Sequence, residues 1–138
     1  MKPLEQPVLQ QQVDLRYRLM VDYPLALPEW PFGIIRLHAG FLSDLHSVPI
    51  WVPRVIADDD DYPLAALFHD LLYRHRGFIG ATDACWTSGR VCYTRLQADR
   101  LYRYLLSQSG APAWQCWLMY AAVRLGGRAR WRTRNTKP

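Results

Sequence analysis

The sequence predicts an α+β fold: a small antiparallel N-terminal β-sheet packed against about three α-helices in a single domain. Two observations carry this. Apolar residues alternate with polar ones early in the chain, at Leu15, Tyr17 and Leu19 against Asp14, Arg16 and Arg18, as in a half-buried strand. Later the apolar residues recur at helical spacing in three separate runs. The length of 138 residues allows one domain with a sizeable core and leaves little room for a second.

The elements follow in order. Residues 1–12 are polar and interrupted by proline, with nothing periodic to bury, and read as an extended arm. The first strand is expected near Val13 to Val21 and the second at Gly33 to Leu37, with Pro24, Pro28 and Pro31 breaking the chain between them. From Phe41 to Pro53, turn formers and bulky apolar residues alternate, and Pro49 and Pro53 exclude a regular helix, so an ordered buried loop is expected.

Asp58 to Asp61 then precede Tyr62-Pro63 and a helix through Arg74, with an aspartate cap and acids at its positive end. Leu64, Leu67, Phe68, Leu71 and Leu72 share one face of that helix, whereas Ala65, His69 and Tyr73 form another. A loop covers Gly77 to Gly89. A second helix runs from about Tyr93 to Ser107, with Ala98, Leu101, Tyr102, Leu105 and Leu106 as its stripe and Asp99 at the margin. The third, about Pro112 to Leu125, is apolar nearly all round and is therefore expected to be the central buried helix. The domain is read as residues 13–127, and residues 128–138 as a basic tail.

Charge is unevenly distributed. Six cations and no acid lie from Arg124 onward, while the other eleven cations face all twelve acids, so the net charge of +5 resides at the tail. Arginines interleaved with Trp131 can neutralise phosphates and stack on a base, which makes nucleic acid a candidate partner there; a solvated, frayed terminus is the competing reading. No run is apolar enough for a membrane span and no signal-peptide core is present, so a cytoplasmic protein is expected. Cys85, Cys92 and Cys116 have no metal or redox spacing and read as reduced thiols.

The residues suited to chemistry are Asp44 and His46 in the loop, the His69-Asp70 pair and Asp99. Imidazoles and carboxylates are the ligands of zinc, manganese or iron, and a hydrolytic centre needs about three of them with a position open to water. On that reading Asp44, His69, Asp99 and His46 hold a divalent metal, with His69 and Asp70 as the catalytic pair, Asp70 as general base or as orienter of the histidine. The alternative is a satisfied structural network, in which Asp44 holds its own turn and Arg95 and Arg103 pair with Asp99 at i,i+4 spacing. An H…HD…D phosphohydrolase pattern is disfavoured because it needs its first histidine on a helix, and His38 and His46 fall in strand and loop sequence. The sequence lacks a nucleotide-binding phosphate loop, an H-E-x-x-H motif and a nucleophile elbow.

Four short motifs occur in a recognisable order. These are Gly40-Phe41-Leu42-Ser43-Asp44-Leu45-His46-Ser47-Val48-Pro49, then Ala65-Ala66-Leu67-Phe68-His69-Asp70-Leu71-Leu72-Tyr73, then Ala98-Asp99, and finally Tyr120-Ala121-Ala122-Val123-Arg124-Leu125-Gly126-Gly127. In this the chain resembles the phage- and prophage-associated family called domain of unknown function number 1353, over residues 13 to 131. Ser43 stands where that family usually has threonine, Ile50 where arginine is frequent, and His46 where a small residue is usual. The resemblance implies a phage or prophage setting, in the host cytoplasm or on the virion, and singles out Asp44, His69, Asp70 and Asp99. It carries no settled activity. Two functions are therefore expected as alternatives: a metal-dependent hydrolase of cell-wall peptide, nucleotide or nucleic acid, or a non-enzymatic accessory protein that acts in assembly or binds a phage or host protein.

Overall fold

A computed structural model describes residues 5–13, 16–27, 33–43, 61–80, 82–88 and 92–133. Among these residues six short strands precede or interrupt four helices. The strands are β1 (Leu9–Gln11), β2 (Tyr17–Leu19), β3 (Tyr23–Leu27), β4 (Gly33–Leu37), β5 (Leu42–Ser43) and β6 (Cys85–Thr87). The helices are α1 (Pro63–Arg74), α2 (Arg95–Gln108), α3 (Ala113–Gly126) and α4 (Arg128–Thr133). The α+β class and the order of strands before helices agree with the sequence.

The strands form two antiparallel three-stranded sheets, β1-β2-β5 and β3-β4-β6, rather than one. The two strands expected to pair, β2 and β4, thus belong to different sheets. Four strands were not anticipated: β1, in the segment read as an arm, β5, in the segment read as a buried loop, and β3 and β6. β3 contains Pro24, opposite Arg36, and tolerates it because β3 is an edge strand with one side free of ladder bonds. β6 lies inside the segment read as loop and pairs with β4, Ile35 opposite Thr87 and Leu37 opposite Cys85. It buries Cys85 and turns Trp86 outward.

Part of the N-terminal arm is integrated in the fold. Leu9–Gln11 pairs with β2, and Gln6 bridges two helix ends, accepting from the Leu64 N–H at 3.0 Å and donating to Ser109 Oγ at 3.0 Å. Gln6 therefore serves one of the free donors at the start of α1. The expected aspartate cap is replaced: the capping position is Tyr62, which makes no side-chain cap bond, and Pro63 occupies the first turn. Of the acids read as the helix entry, Asp61 is exposed, and residues 58–60 lie outside the described residues. The α2 start is self-sufficient, because Thr94 and Gln97 form a reciprocal capping box.

The central helix is α1, not α3. Every residue of α1 from Leu64 to Tyr73 is buried, His69 and Asp70 included. Its apolar side chains contribute about 1.5–3 kcal/mol each on burial, which helps to offset the cost of enclosing two polar groups among them. α2 packs on α1 through Ala98, Leu101, Tyr102, Leu105 and Leu106, the stripe read from its periodicity. α3 packs on α2 with Cys116, Met119, Ala122 and Val123 buried, while Trp114, Trp117, Leu118 and Leu125 are exposed.

Gly127 separates α3 from α4 and lies against α1. A Cβ at this position would stand 2.5 Å from both Tyr73 Oη and the Val123 carbonyl oxygen, so only glycine allows so close an approach. The first part of the segment read as a tail is helical, and Trp131 stands edge-on to Tyr73 with ring centroids 5.0 Å apart. Residues 134–138 lie outside the described residues.

Candidate functional site

Helical spacing places His69 and Tyr73 one turn apart on the same face of α1, and that face is turned toward α2. The His69 ring lies between two tyrosines, with centroids 4.1 Å from Tyr73 and 4.6 Å from Tyr102. Directly beyond it is Asp99 of α2, whose side chain is fully enclosed. His69 Nε2 and Asp99 Oδ1 are 2.7 Å apart, Tyr73 donates its hydroxyl to the same oxygen at 2.7 Å, and Arg124 Nη1 of α3 donates to Oδ2 at 2.8 Å. One carboxylate thus joins three helices.

Arg95 closes the second layer. Its Nε donates to Tyr73 Oη at 3.1 Å and stands 3.9 Å from Asp99 Oδ2, while Nη2 donates to the carbonyls of Val123 and Arg124 at the end of α3. A cation there also meets the negative end of that helix. The i,i+4 pair expected between Arg95 and Asp99 is present at this longer distance. Arg103 instead stacks over Trp117 and Tyr120, at 4.1 and 4.7 Å.

The electrostatics follow from this geometry. Burial pushes the Asp99 carboxyl up, but the bonds from His69, Tyr73 and Arg124 more than offset it and hold the group below its ordinary value. Burial, together with the neighbouring Asp99 charge, raises the Tyr73 phenol, so it remains a hydrogen-bond donor. An ionised Asp99 can only accept, and therefore His69 Nε2 must carry the proton in their shared bond. In the neutral ring this leaves Nδ1 with a lone pair. Nδ1 is buried and has no hydrogen-bond partner among the described residues.

Asp70 occupies a separate polar cluster. Its Oδ2 accepts from Arg74 at 2.8 Å, Arg130 Nη2 stands 3.9 Å from Oδ1, and Arg74 also donates to the Leu42 carbonyl and lies over the Phe41 ring. This cluster fastens the end of α1 to β5 and to α4. Orientation of His69, considered for Asp70 from sequence, is supplied by Asp99.

Of the residues predicted for the site, His69 and Asp99 are brought into direct contact and Asp70 is buried beside them on α1. Asp44 and His46 lie outside the described residues, although Asp44 follows β5 directly in sequence. Among the described residues no group of three His, Cys, Asp or Glu side chains is arranged to hold a metal. Tyr73 and Arg124 were not assigned roles from sequence. Both stand in the motifs quoted above, so the signal was present without the geometry needed to interpret it.

A family model described as "Protein of unknown function (DUF1353)" matches residues 17–123. The chain belongs to this family. The DUF1353 match spans β2 through most of α3 and takes in Asp44, His69, Asp70, Tyr73, Arg95 and Asp99, whereas Arg124 lies one residue beyond it. No curated protein and no solved structure matched the DUF1353 chain. Among its described residues no helix is long and apolar enough to cross a membrane.

Proposed function

We propose that this DUF1353 protein is a hydrolase in which His69, fixed through Nε2 by Asp99, uses Nδ1 as its working atom. The supporting observation is the asymmetry of the ring: one nitrogen is bonded at 2.7 Å to an enclosed carboxylate, and the other is buried without a partner among the described residues. Leaving a buried acceptor unpaired costs about 1–3 kcal/mol, and among the described residues the other buried side-chain nitrogen in this position is Arg130 Nη2, in the separate Asp70 cluster.

A carboxylate that fixes one imidazole nitrogen raises the basicity of the other, which suits it to bind a divalent metal or to accept a proton from water. Zinc, manganese or iron would fit at Nδ1, and Asp44 and His46 are the further ligands proposed from sequence. The metal would supply an activated water. Asp99, with both oxygens already accepting bonds, acts here as the orienter of His69 and not as a ligand. Cell-wall peptide, nucleotide and nucleic acid are the substrate classes, in the phage or prophage setting implied by the family resemblance.

Metal analysis of protein purified without a histidine tag or chelator tests the proposal. About one equivalent is expected in the native chain, and none in folded His69→Ala and Asp44→Ala variants. A metal-free native chain that takes up none on titration would reduce His69 to a general base or a structural group.

The non-enzymatic alternative, an accessory protein that binds a phage or host partner, is favoured by one observation. The outer face of α3 is apolar, with Trp114, Leu118 and Leu125 exposed.

A further inference from the structure

The third helix presents two opposite apolar faces. Its inward face, Cys116, Met119, Ala122 and Val123, is accounted for by α2. On the outward face Trp114, Leu118, Ala121 and Leu125 recur at i, i+4, i+7 and i+11, with Trp117 beside them. At about 100° per residue these five fall within about 100° of arc. Trp114 is 61% exposed, Trp117 59% and Leu125 78%. Single exposed hydrophobes are ordinary, but a continuous stripe along a whole helix marks a surface that is covered in use.

Charge narrows the class of partner. No Asp or Glu follows Asp99 in the sequence, so every ionised side chain on α3, on α4 and on the rest of α2 is cationic. Arg103 stands over the Trp117 ring, Arg100 is exposed one turn earlier on α2, and Arg128 is exposed just past the end of α3. A second copy of this chain would set cations against cations with no carboxylate to meet them. Nucleic acid would satisfy the arginines but offers nothing to Leu118 and Leu125. The stripe is also a ridge and not a groove, because α3 is the outermost helix of the α1-α2-α3 series.

We propose that this face lies on an anionic lipid surface, with α3 parallel to the membrane plane. Indole and leucine side chains suit the boundary between headgroups and acyl chains, and flanking arginines extend to the phosphates. The helix lies on the bilayer and does not span it. Each cation near an anionic surface strengthens binding about fivefold, so the attachment depends on salt and on lipid charge.

The test is co-sedimentation of the full chain with sucrose-loaded vesicles of phosphatidylcholine, alone or mixed with phosphatidylserine. Partitioning is expected to be at least about tenfold stronger into the mixed vesicles and to weaken as salt is raised. Trp114→Ser combined with Leu125→Ser, both at exposed positions, should weaken it at least about tenfold without altering thermal unfolding. Arg100→Glu with Arg128→Glu should weaken it as well. Failure to sediment with either vesicle would overturn the proposal. So would unchanged binding by the Trp114/Leu125 variant, which would assign the attraction to charge alone. Binding to duplex DNA or to an acidic protein with none to vesicles, or dimerisation lost in that variant, would reassign the face to that partner.

Discussion

Replacing Asp99 by alanine is expected to lower the free energy of unfolding by about 3–5 kcal/mol, the largest single effect predicted for this chain. The loss arises from what is left behind. His69, Tyr73 and Arg124 all direct donors at the vacated carboxylate, and the enclosed site offers them no water. Because a domain of this size is stable by about 5–15 kcal/mol, such a variant should remain foldable at low temperature and be measurable by urea denaturation. A change below about 1 kcal/mol would mean that the three helices do not depend on this junction.

The same variant carries a pH signature. The Asp99 carboxyl is held below its ordinary value of 3.8 in the folded chain, so the unfolded state binds the proton first as pH falls. Its contribution is therefore complete above that ordinary value and is lost as pH drops through the lower folded value. Native protein should lose stability on acidification below about pH 4, and Asp99→Ala should lack this part of the slope.

The second large effect concerns chemistry. On the proposed hydrolase reading, His69→Gln is expected to reduce kcat by about 10²–10⁴-fold, the range for loss of a positioned acid–base group. Asp99→Asn retains the imidazole but removes the carboxylate that fixes its tautomer, so it should reduce kcat with little change in KM. Equal activity of native and His69→Gln protein, both folded, would exclude His69 from the reaction.

How much of this was legible in the sequence depends on the kind of force involved. The first three helices were, because α1 and α2 carry apolar stripes and α3 an apolar run between Pro112 and Gly126, and Gly33–Leu37 was found from its own pattern, whereas α4 lies in the segment read as a tail. Strand pairing was not. β2 and β4 look alike locally, and only the long-range partners β5 and β6 assign them to different sheets. The Cys85-Trp86-Thr87 strand is three residues long and set among turn formers, too short for a periodicity argument.

Burial of the helices was misjudged for a related reason. α3 is more apolar than α1, and apolar composition was read as enclosure. The polar residues of α1 are buried because charged partners meet them: Asp99 for His69 and Arg130 near Asp70 are distant in sequence, whereas Arg74 pairs with Asp70 from one turn along the same helix. His69 and Asp99 were identifiable as a candidate pair from residue type. Arg124 was counted as one more tail cation, since nothing local distinguishes an arginine that reaches a carboxylate 25 residues away.

The central claim, that His69 keeps Nε2 on Asp99 and leaves Nδ1 free to act, is tested most directly by long-range ¹H–¹⁵N NMR of the imidazole rings, with His69→Gln used for assignment and Zn²⁺ added stepwise. The expected result is a proton on Nε2 of His69 in its bond to Asp99, with the Nδ1 resonance alone shifting as metal is added. A ring protonated at Nδ1, or one whose nitrogens both ignore the metal while native protein shows no His69-dependent hydrolysis, would contradict it.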